Sequence, residues 1–190
     1  MPKKPDAQLE DRIINAAYKL WVEGGERALT MRAVARGART TTPTLYERFK
    51  DKGDLLNAMR IRAQRRLFEA IKPARSIAEA CRIALEFTVE HGHEYELVAK
   101  DWAARFARKE PTPSLDLIQV RLAEQVGGSP GDHAQLALAL ATLYHGASMM
   151  LVDERVPAET ASAIKEACVA ATNSLVASAG KAEFPRDSRA

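Results

Sequence analysis

From Leu9 onward, apolar residues return every three or four positions along most of the chain, interrupted by Gly, Pro, Ser and Thr. That spacing lines one face of an α-helix. Leu9, Ile13, Ala16, Ala17, Leu20 and Trp21 predict a first helix, which Gly24-Gly25 stops. Thr30 then reads as an N-cap, with Leu29 before it and Val34 beyond placed to form a hydrophobic staple. Met31, Val34, Ala35 and Ala38 predict a second helix of barely two turns. A third short helix starts near Thr41 or Thr42 and carries Leu45 and Phe49 as an i, i+4 pair. After Asp51 a long helix runs through Leu55, Leu56, Met59, Ala63 and Leu67 and ends near Pro73.

The rest of the chain keeps the helical period. A helix begins at a Ser76 cap and ends at Gly92, and one helix is expected over 94–109, stopped by Pro111-Thr112-Pro113. Another covers 114–126 and ends at Gly127-Gly128. A charge-free helix spans Ala134 to Val152, Pro157 breaks the chain, and a last helix follows from Ala158. No run alternates with period two for long enough to be a strand. The expectation is an all-α fold of about nine helices, with one domain over 8–70, a second over 75–180, and a flexible tail over 181–190.

Charge divides the chain at about the same place. Residues 1–72 hold 16 Lys/Arg against 9 Asp/Glu, a net of +7, and residues 73–190 hold 12 against 16, a net of −4. A basic head on an acidic body points to a polyanion bound by the smaller part. Cys81 and Cys168 lie in apolar helical stretches without metal-ligand spacing and read as small core residues, not as a disulfide framework. The first residues lack the apolar run of a signal peptide, so a reducing cytoplasm is expected. The uncharged stretch 134–152 approaches the length of a membrane span. Its Gln135, Thr142, His145 and Gly146, and its many alanines, favour a helix buried on most sides within protein, with no membrane partner.

Two short helices joined by a tight turn are the outline of a helix-turn-helix. In that arrangement Val34, Ala35, Ala38, Leu45 and Phe49 form the small core, one of the three threonines caps the second helix, and Pro43 sits in its first turn. The remaining hydroxyls are then available to phosphates and base edges, and Lys50 and Lys52 to the flanking backbone. The alternative is a solvated turn between two core helices.

"IINAAYKLWVEGG", "LTMRAVARGA" and "TPTLYERFKDKGDLLNAM" together resemble the N-terminal domain of the tetracycline-repressor-like (TetR) family of transcriptional regulators, over residues 9 to about 60. The resemblance implies a DNA face made by Thr30, Arg32, Arg39, Thr40, Thr41, Thr42, Pro43, Thr44, Tyr46, Lys50 and Lys52. Within it, Thr42 and Pro43 would come nearest the bases, and Tyr46 and Lys52 would meet phosphates. Arg39-Thr40 departs from the family's usual Gly-apolar turn and adds a cation beside that face. Pro2 to Pro5, with Lys3 and Lys4, would form a flexible arm. The family also implies a homodimer, a near-palindromic operator in double-stranded DNA, and a helical body enclosing a small-molecule effector, most often in a repressor.

Features of the back half agree independently of the resemblance. In the last helix Ala161, Ile164, Cys168, Ala171 and Leu175 form one stripe, and Ala163, Ala167, Ala170 and Ser174 a second. Helices apolar on two faces need two partners, so the last two helices are expected to form a dimer bundle. Candidates for an effector pocket are Phe87, His91, Tyr95, Trp102, Phe106, Arg121, Tyr144, His145 and Met149, each of which is also an ordinary core side chain. Apolar walls of this kind suit a modest, largely hydrophobic molecule. No cofactor and no metal are expected. Glu90-x-x-His93 supplies only half of a di-iron carboxylate pattern, and no nucleophile elbow, P-loop or dinucleotide fingerprint occurs, so an enzyme is not expected. A helical protein-interaction module would explain the apolar last helices but not the basic head.

Overall fold

The computed structural model describes residues 7–100, 102–153 and 155–180. The proposed arm at 2–5 and the tail at 181–190 lie outside the described residues. Among the described residues there are ten α-helices and no strand. They are α1 (Ala7–Ala28), α2 (Met31–Gly37), α3 (Thr42–Tyr46), α4 (Lys52–Ile71), α5 (Ile77–Glu90), α6 (Gly92–Ala99), α7 (Trp102–Ala107), α8 (Pro113–Val126), α9 (Ala134–Leu151) and α10 (Ala158–Ala179). A 3-10 turn, Pro130–His133, precedes α9.

These helices belong to two compact units. The first holds the described residues up to Gln64 together with His93–Lys100, and the second holds 65–92 and the described residues beyond 101. In the first, Ile13, Ala17, Leu29, Val34, Leu45, Leu55 and Met59 have no exposed surface. Burying a large apolar side chain contributes about 1.5–3 kcal/mol. α2 and α3 span only 7 and 5 residues, too few to persist alone, so this shared core holds them in place. The Tyr18 hydroxyl donates to the Met59 carbonyl and ties α1 to α4. Gly24 and Gly25 break α1 as their sequence predicts: Gly25 takes φ 60, ψ −153, which a side chain would oppose.

The single helix expected over 94–109 is two helices. Leu97 is buried in the first unit's core, and Lys100, just past α6, reaches Glu26 Oε2 at 2.5 Å. Trp102 instead stacks on Phe106 and on His145 of α9, in the second unit. α7 then ends on Lys109 at φ 55, with Glu110 N–H bonded to the Arg105 carbonyl.

In the second unit α5 packs against both α9 and α10. Leu85, Ala147, Leu151 and Cys168 form one buried cluster there, and Ile77, Leu122, Ala137, Leu140 and Val176 another. α9 is not buried on most sides. Ala137, Leu140, Ala147, Ser148 and Leu151 are covered, whereas Thr142, Met149 and Met150 stand exposed. By length and composition this helix could also cross a membrane, a test that soluble core helices pass equally. The inward stripe of α10 also shifts: Cys168, Thr172 and Val176 are the buried positions, and Leu175 is 39% exposed. Ala163, Ala167, Ala170 and Ser174 are all exposed.

Candidate nucleic-acid interface and ligand cleft

Threonine side chains start both helices of the helix-turn-helix. Thr30 Oγ1 accepts from Ala33 N–H at 3.2 Å, and Leu29 and Val34 are both fully buried, as a hydrophobic staple requires. Thr41 caps α3, accepting from Thr44 N–H at 3.3 Å while its hydroxyl also lies 2.9 Å from that of Thr44. Two of the three consecutive-threonine positions are thereby separated by role. Thr41 is a cap, whereas Thr42 Oγ1 makes no hydrogen bond among the described residues.

The turn between the helices is a Schellman motif. Arg39 N–H bonds the Arg36 carbonyl at 3.2 Å, and Thr40 N–H bonds the Ala35 carbonyl at 2.9 Å. The geometry requires a left-handed residue after the Ala38 cap, and Arg39 occupies it at φ 54. Glycine meets that demand without a Cβ clash, and arginine forgoes about 1 kcal/mol relative to it. The Arg39-Thr40 departure therefore preserves the turn and places an exposed guanidinium at its apex.

Arg39, Thr41, Pro43, Tyr46 and Lys50 are exposed around α3, with Thr40, Thr42 and Thr44 half-buried between them. Tyr46 is 51% exposed while its neighbour Leu45 is fully buried, so the short helix has one structural face and one outward face. Thr30 and Arg32 at the start of α2 are exposed as well. Lys52 differs from the rest. Its ammonium donates to the Glu26 carbonyl at 2.6 Å and lies 3.9 Å from the Glu26 carboxylate. The same carboxylate holds Lys100, whose hydrogen bond and charge, with a smaller contribution from Lys52, keep the Glu26 pKa below the usual value. The opening of α4 is fixed by Asp51, which accepts from Asp54 N–H at 2.8 Å, and Asp54 in turn accepts from Lys50 N–H at 3.1 Å.

In the second unit, the expected effector residues fall into separate groups. Phe87 and His91 line a cleft of about 480 Å³ together with Arg65, Arg66, Glu69, Ala70, Ile83, Glu86 and Glu90. Arg66 lies over the Phe87 ring at 5.9 Å and 3.4 Å from His91 Nε2. Trp102, Phe106 and His145 form a stacked set elsewhere, and burial lowers the His145 pKa. Tyr144 belongs to a hydroxyl cluster: its OH is 3.0 Å from Thr88 Oγ1, which is 3.2 Å from Ser148 Oγ. Burial pushes the Tyr144 phenol up to about 12, against the hydrogen bonds of Thr88 and Ser148. Arg121 is taken by Glu124 and the Lys72 carbonyl, and Met149 is exposed. Tyr95, 1% exposed, lies in the first unit.

The cleft residues of α4 escape a sequence reading because Arg65, Arg66 and Glu69 look like any solvated helix face. Thr88 and Ser148 were legible in principle, as polar residues on otherwise apolar stripes one turn from Ala84 and Tyr144. Among the described residues no group of three or more His, Cys, Asp or Glu could hold a metal ion. His93 pairs with Glu96 at 3.4 Å.

Residues 13–59 match the family model for bacterial regulatory proteins of the tetR family. No curated protein sequence matches the chain. Among solved structures, a TetR-like transcriptional regulator from Rhodococcus sp. RHA1 is similar at TM-score 0.60 and 19% identity, over 90% of this chain and 99% of that one. A protein of unknown function from the same organism is similar at TM-score 0.63 and 20% identity, over 93% and 98%. Likeness at this identity establishes a common fold.

Proposed function

We propose that the chain, whose residues 13–59 match the tetR-family model, is a DNA-binding transcriptional regulator of that family and acts as a homodimeric, ligand-released repressor in the cytoplasm, where its DNA is. The observation that carries the reading is the outward face of α3. A helix of 5 residues is anchored by a fully buried Leu45 and a Thr41 cap, yet it turns Thr42, Pro43 and an exposed Tyr46 away from the core, beside Arg39 and Lys50. Such a face suits a major groove flanked by phosphates. Thr42 and Pro43 meet base edges, and Arg39, Tyr46 and Lys50 meet the backbone. Thr30 and Arg32 contact phosphate from α2. Lys52 joins them by leaving Glu26.

The dimer forms through α9 and α10. The exposed Ala163, Ala167, Ala170 and Ser174 stripe and the exposed Met149 and Met150 support it, since they leave apolar surface uncovered on both helices. Two copies of α3 then read two half-sites about one helical turn apart. The effector enters the cleft beside Phe87 and His91. Ile83 and Phe87 supply apolar contact, but Arg65, Arg66, Glu86 and Glu90 make its rim more polar than the sequence had indicated. A molecule with an apolar body and a polar end fits it better than a purely hydrophobic one.

The test is selection of fragmented genomic DNA on the purified protein at physiological salt, with sequencing of the retained fraction. The reading expects an enriched near-palindrome with half-sites one turn apart. Retention without any common sequence would overturn it.

A further inference from the structure

Cys81 of α5 and Cys168 of α10, 87 positions apart in sequence, bring their sulfurs to 3.7 Å as free thiols. Neither role assigned above uses them. A third group completes the arrangement: Thr172, one turn beyond Cys168, donates its hydroxyl to Cys81 Sγ at 3.5 Å. Cys81 thus receives the Thr172 hydroxyl and shares a thiol–thiol contact with Cys168. It is only partly covered, whereas Cys168 is 3% exposed. We propose that Cys81 and Cys168 are a reversible two-electron redox site, oxidised by hydroperoxides to a disulfide within one chain.

The asymmetry of the pair assigns the steps. The hydrogen bond shared with Cys168, and that from Thr172, lower the Cys81 thiol against the opposing effect of burial, while the shared bond and burial push the Cys168 thiol up. Cys81, the more accessible sulfur and the one that Thr172 bonds, is therefore the more readily ionised of the two, and the thiolate is the nucleophile. It attacks the terminal oxygen of the hydroperoxide. The O–O bond breaks, an alcohol or water leaves after taking a proton, and Cys81 becomes a sulfenic acid. Cys168 sulfur then attacks Cys81 sulfur, the S–O bond breaks, and the hydroxide leaves as water with the Cys168 proton. The two cysteines lose two electrons and the peroxide gains two. A disulfide needs sulfurs at about 2.05 Å, so α5 and α10 are drawn together or the two side chains turn toward each other. In a reducing compartment such a bond is transient, which suits a sensor better than a structural staple.

The experiment is peroxide treatment of the reduced full-length protein, followed by alkylation and mass spectrometry of the intact chain and its tryptic peptides. The expected product has lost two hydrogens and both alkylation sites, and joins peptide 76–82 to peptide 166–181. Dithiothreitol should restore both thiols. Cys168→Ser should stop at a sulfenic acid on Cys81 that dimedone traps, and Cys81→Ser should leave Cys168 unreacted. Thr172→Val, with unchanged far-ultraviolet circular dichroism, should slow the loss of Cys81 several-fold. Both thiols staying alkylatable in excess peroxide would overturn the proposal. So would Cys81 running on to sulfinic acid without a cross-link, or a bond that joins two chains on a non-reducing gel.

Discussion

Thr41 Oγ1 accepts the Thr44 amide proton at 3.3 Å and lies 2.9 Å from Thr44 Oγ1, so these two threonines satisfy each other at the start of α3. Thr42, between them, has no such bond among the described residues. In a run of three identical side chains, Thr41 is the one that caps α3.

That division predicts opposite phenotypes. Thr41→Ala removes an N-cap and should cost about 0.5–2 kcal/mol of stability, with binding weakened on every DNA sequence alike. Thr42→Ala should leave stability within about 0.5 kcal/mol and relax preference at one base position by about 1–3 kcal/mol. Thermal melts together with binding to a panel of single-base operator variants distinguish the two.

Arg39 trades backbone strain for charge. Arg39→Gly should stabilise the protein by about 1 kcal/mol, because glycine tolerates the left-handed turn. That corresponds to a rise of roughly 2–4 °C in Tm for a chain of this size. The same change removes a cation from the proposed DNA face, so affinity should fall and the salt slope should shrink by about one unit. A variant that both melts higher and binds as well as the parent would show that Arg39 does not face DNA.

Tyr46→Phe keeps the exposed ring and loses only the hydroxyl. If that hydroxyl meets phosphate, all sequences should lose affinity by a similar factor, and stability should be unchanged within about 0.5 kcal/mol. Loss confined to one base position would instead make Tyr46 a base reader.

Glu26 sits between Lys52 and Lys100, and its pKa is lowered by both. A depressed carboxylate pKa contributes stability that is present above the unfolded value, 4.5 here, and lost as pH falls through the folded one. The contribution should be under about 1 kcal/mol, since the side chains are exposed and screened. Glu26→Gln should therefore flatten the acid side of the stability profile below pH 4.5. It should also raise affinity for any DNA by about two- to fivefold, because Lys52 is no longer held by an anion. Unchanged DNA binding would mean that Lys52 stays at Glu26 in the complex.

Ala170→Arg puts a charge into the small-residue stripe of α10, at a position exposed in the single chain. Sedimentation should move from dimer to monomer, and operator affinity should fall as the second half-site loses its reader. A dimer that persists would place the interface elsewhere.

Much of the first unit was legible in the sequence because its signals are local. The Thr30 cap, the Leu29–Val34 staple, the Gly24-Gly25 break and the Leu45–Phe49 pair each lie within a few residues. Long-range commitments were not legible. Nothing between Glu94 and Lys109 announces that Leu97 and Lys100 belong to one unit and Trp102 to the other, so one helix was expected where two form. The same limit hid the Cys81–Cys168 approach, and it made Leu175 look buried when Thr172 and Val176 fill that place. The cleft beside Phe87 was half visible, because its aromatic floor stands out in sequence while its Arg and Glu rim resembles ordinary surface.

Under the proposed function, the face carrying Arg39, Thr42 and Tyr46 reads DNA. Its most direct test is the affinity for the selected near-palindrome and for a scrambled duplex across a salt series, using the parent protein and the Thr42→Ala/Tyr46→Phe double variant. The parent should bind the palindrome at least about 10³-fold more tightly than the scrambled duplex, with log affinity falling steeply as log salt rises. The double variant should keep its fold and lose most of that ratio. Equal affinity of the parent for both duplexes, or a double variant as selective as the parent, would show that this face does not read DNA.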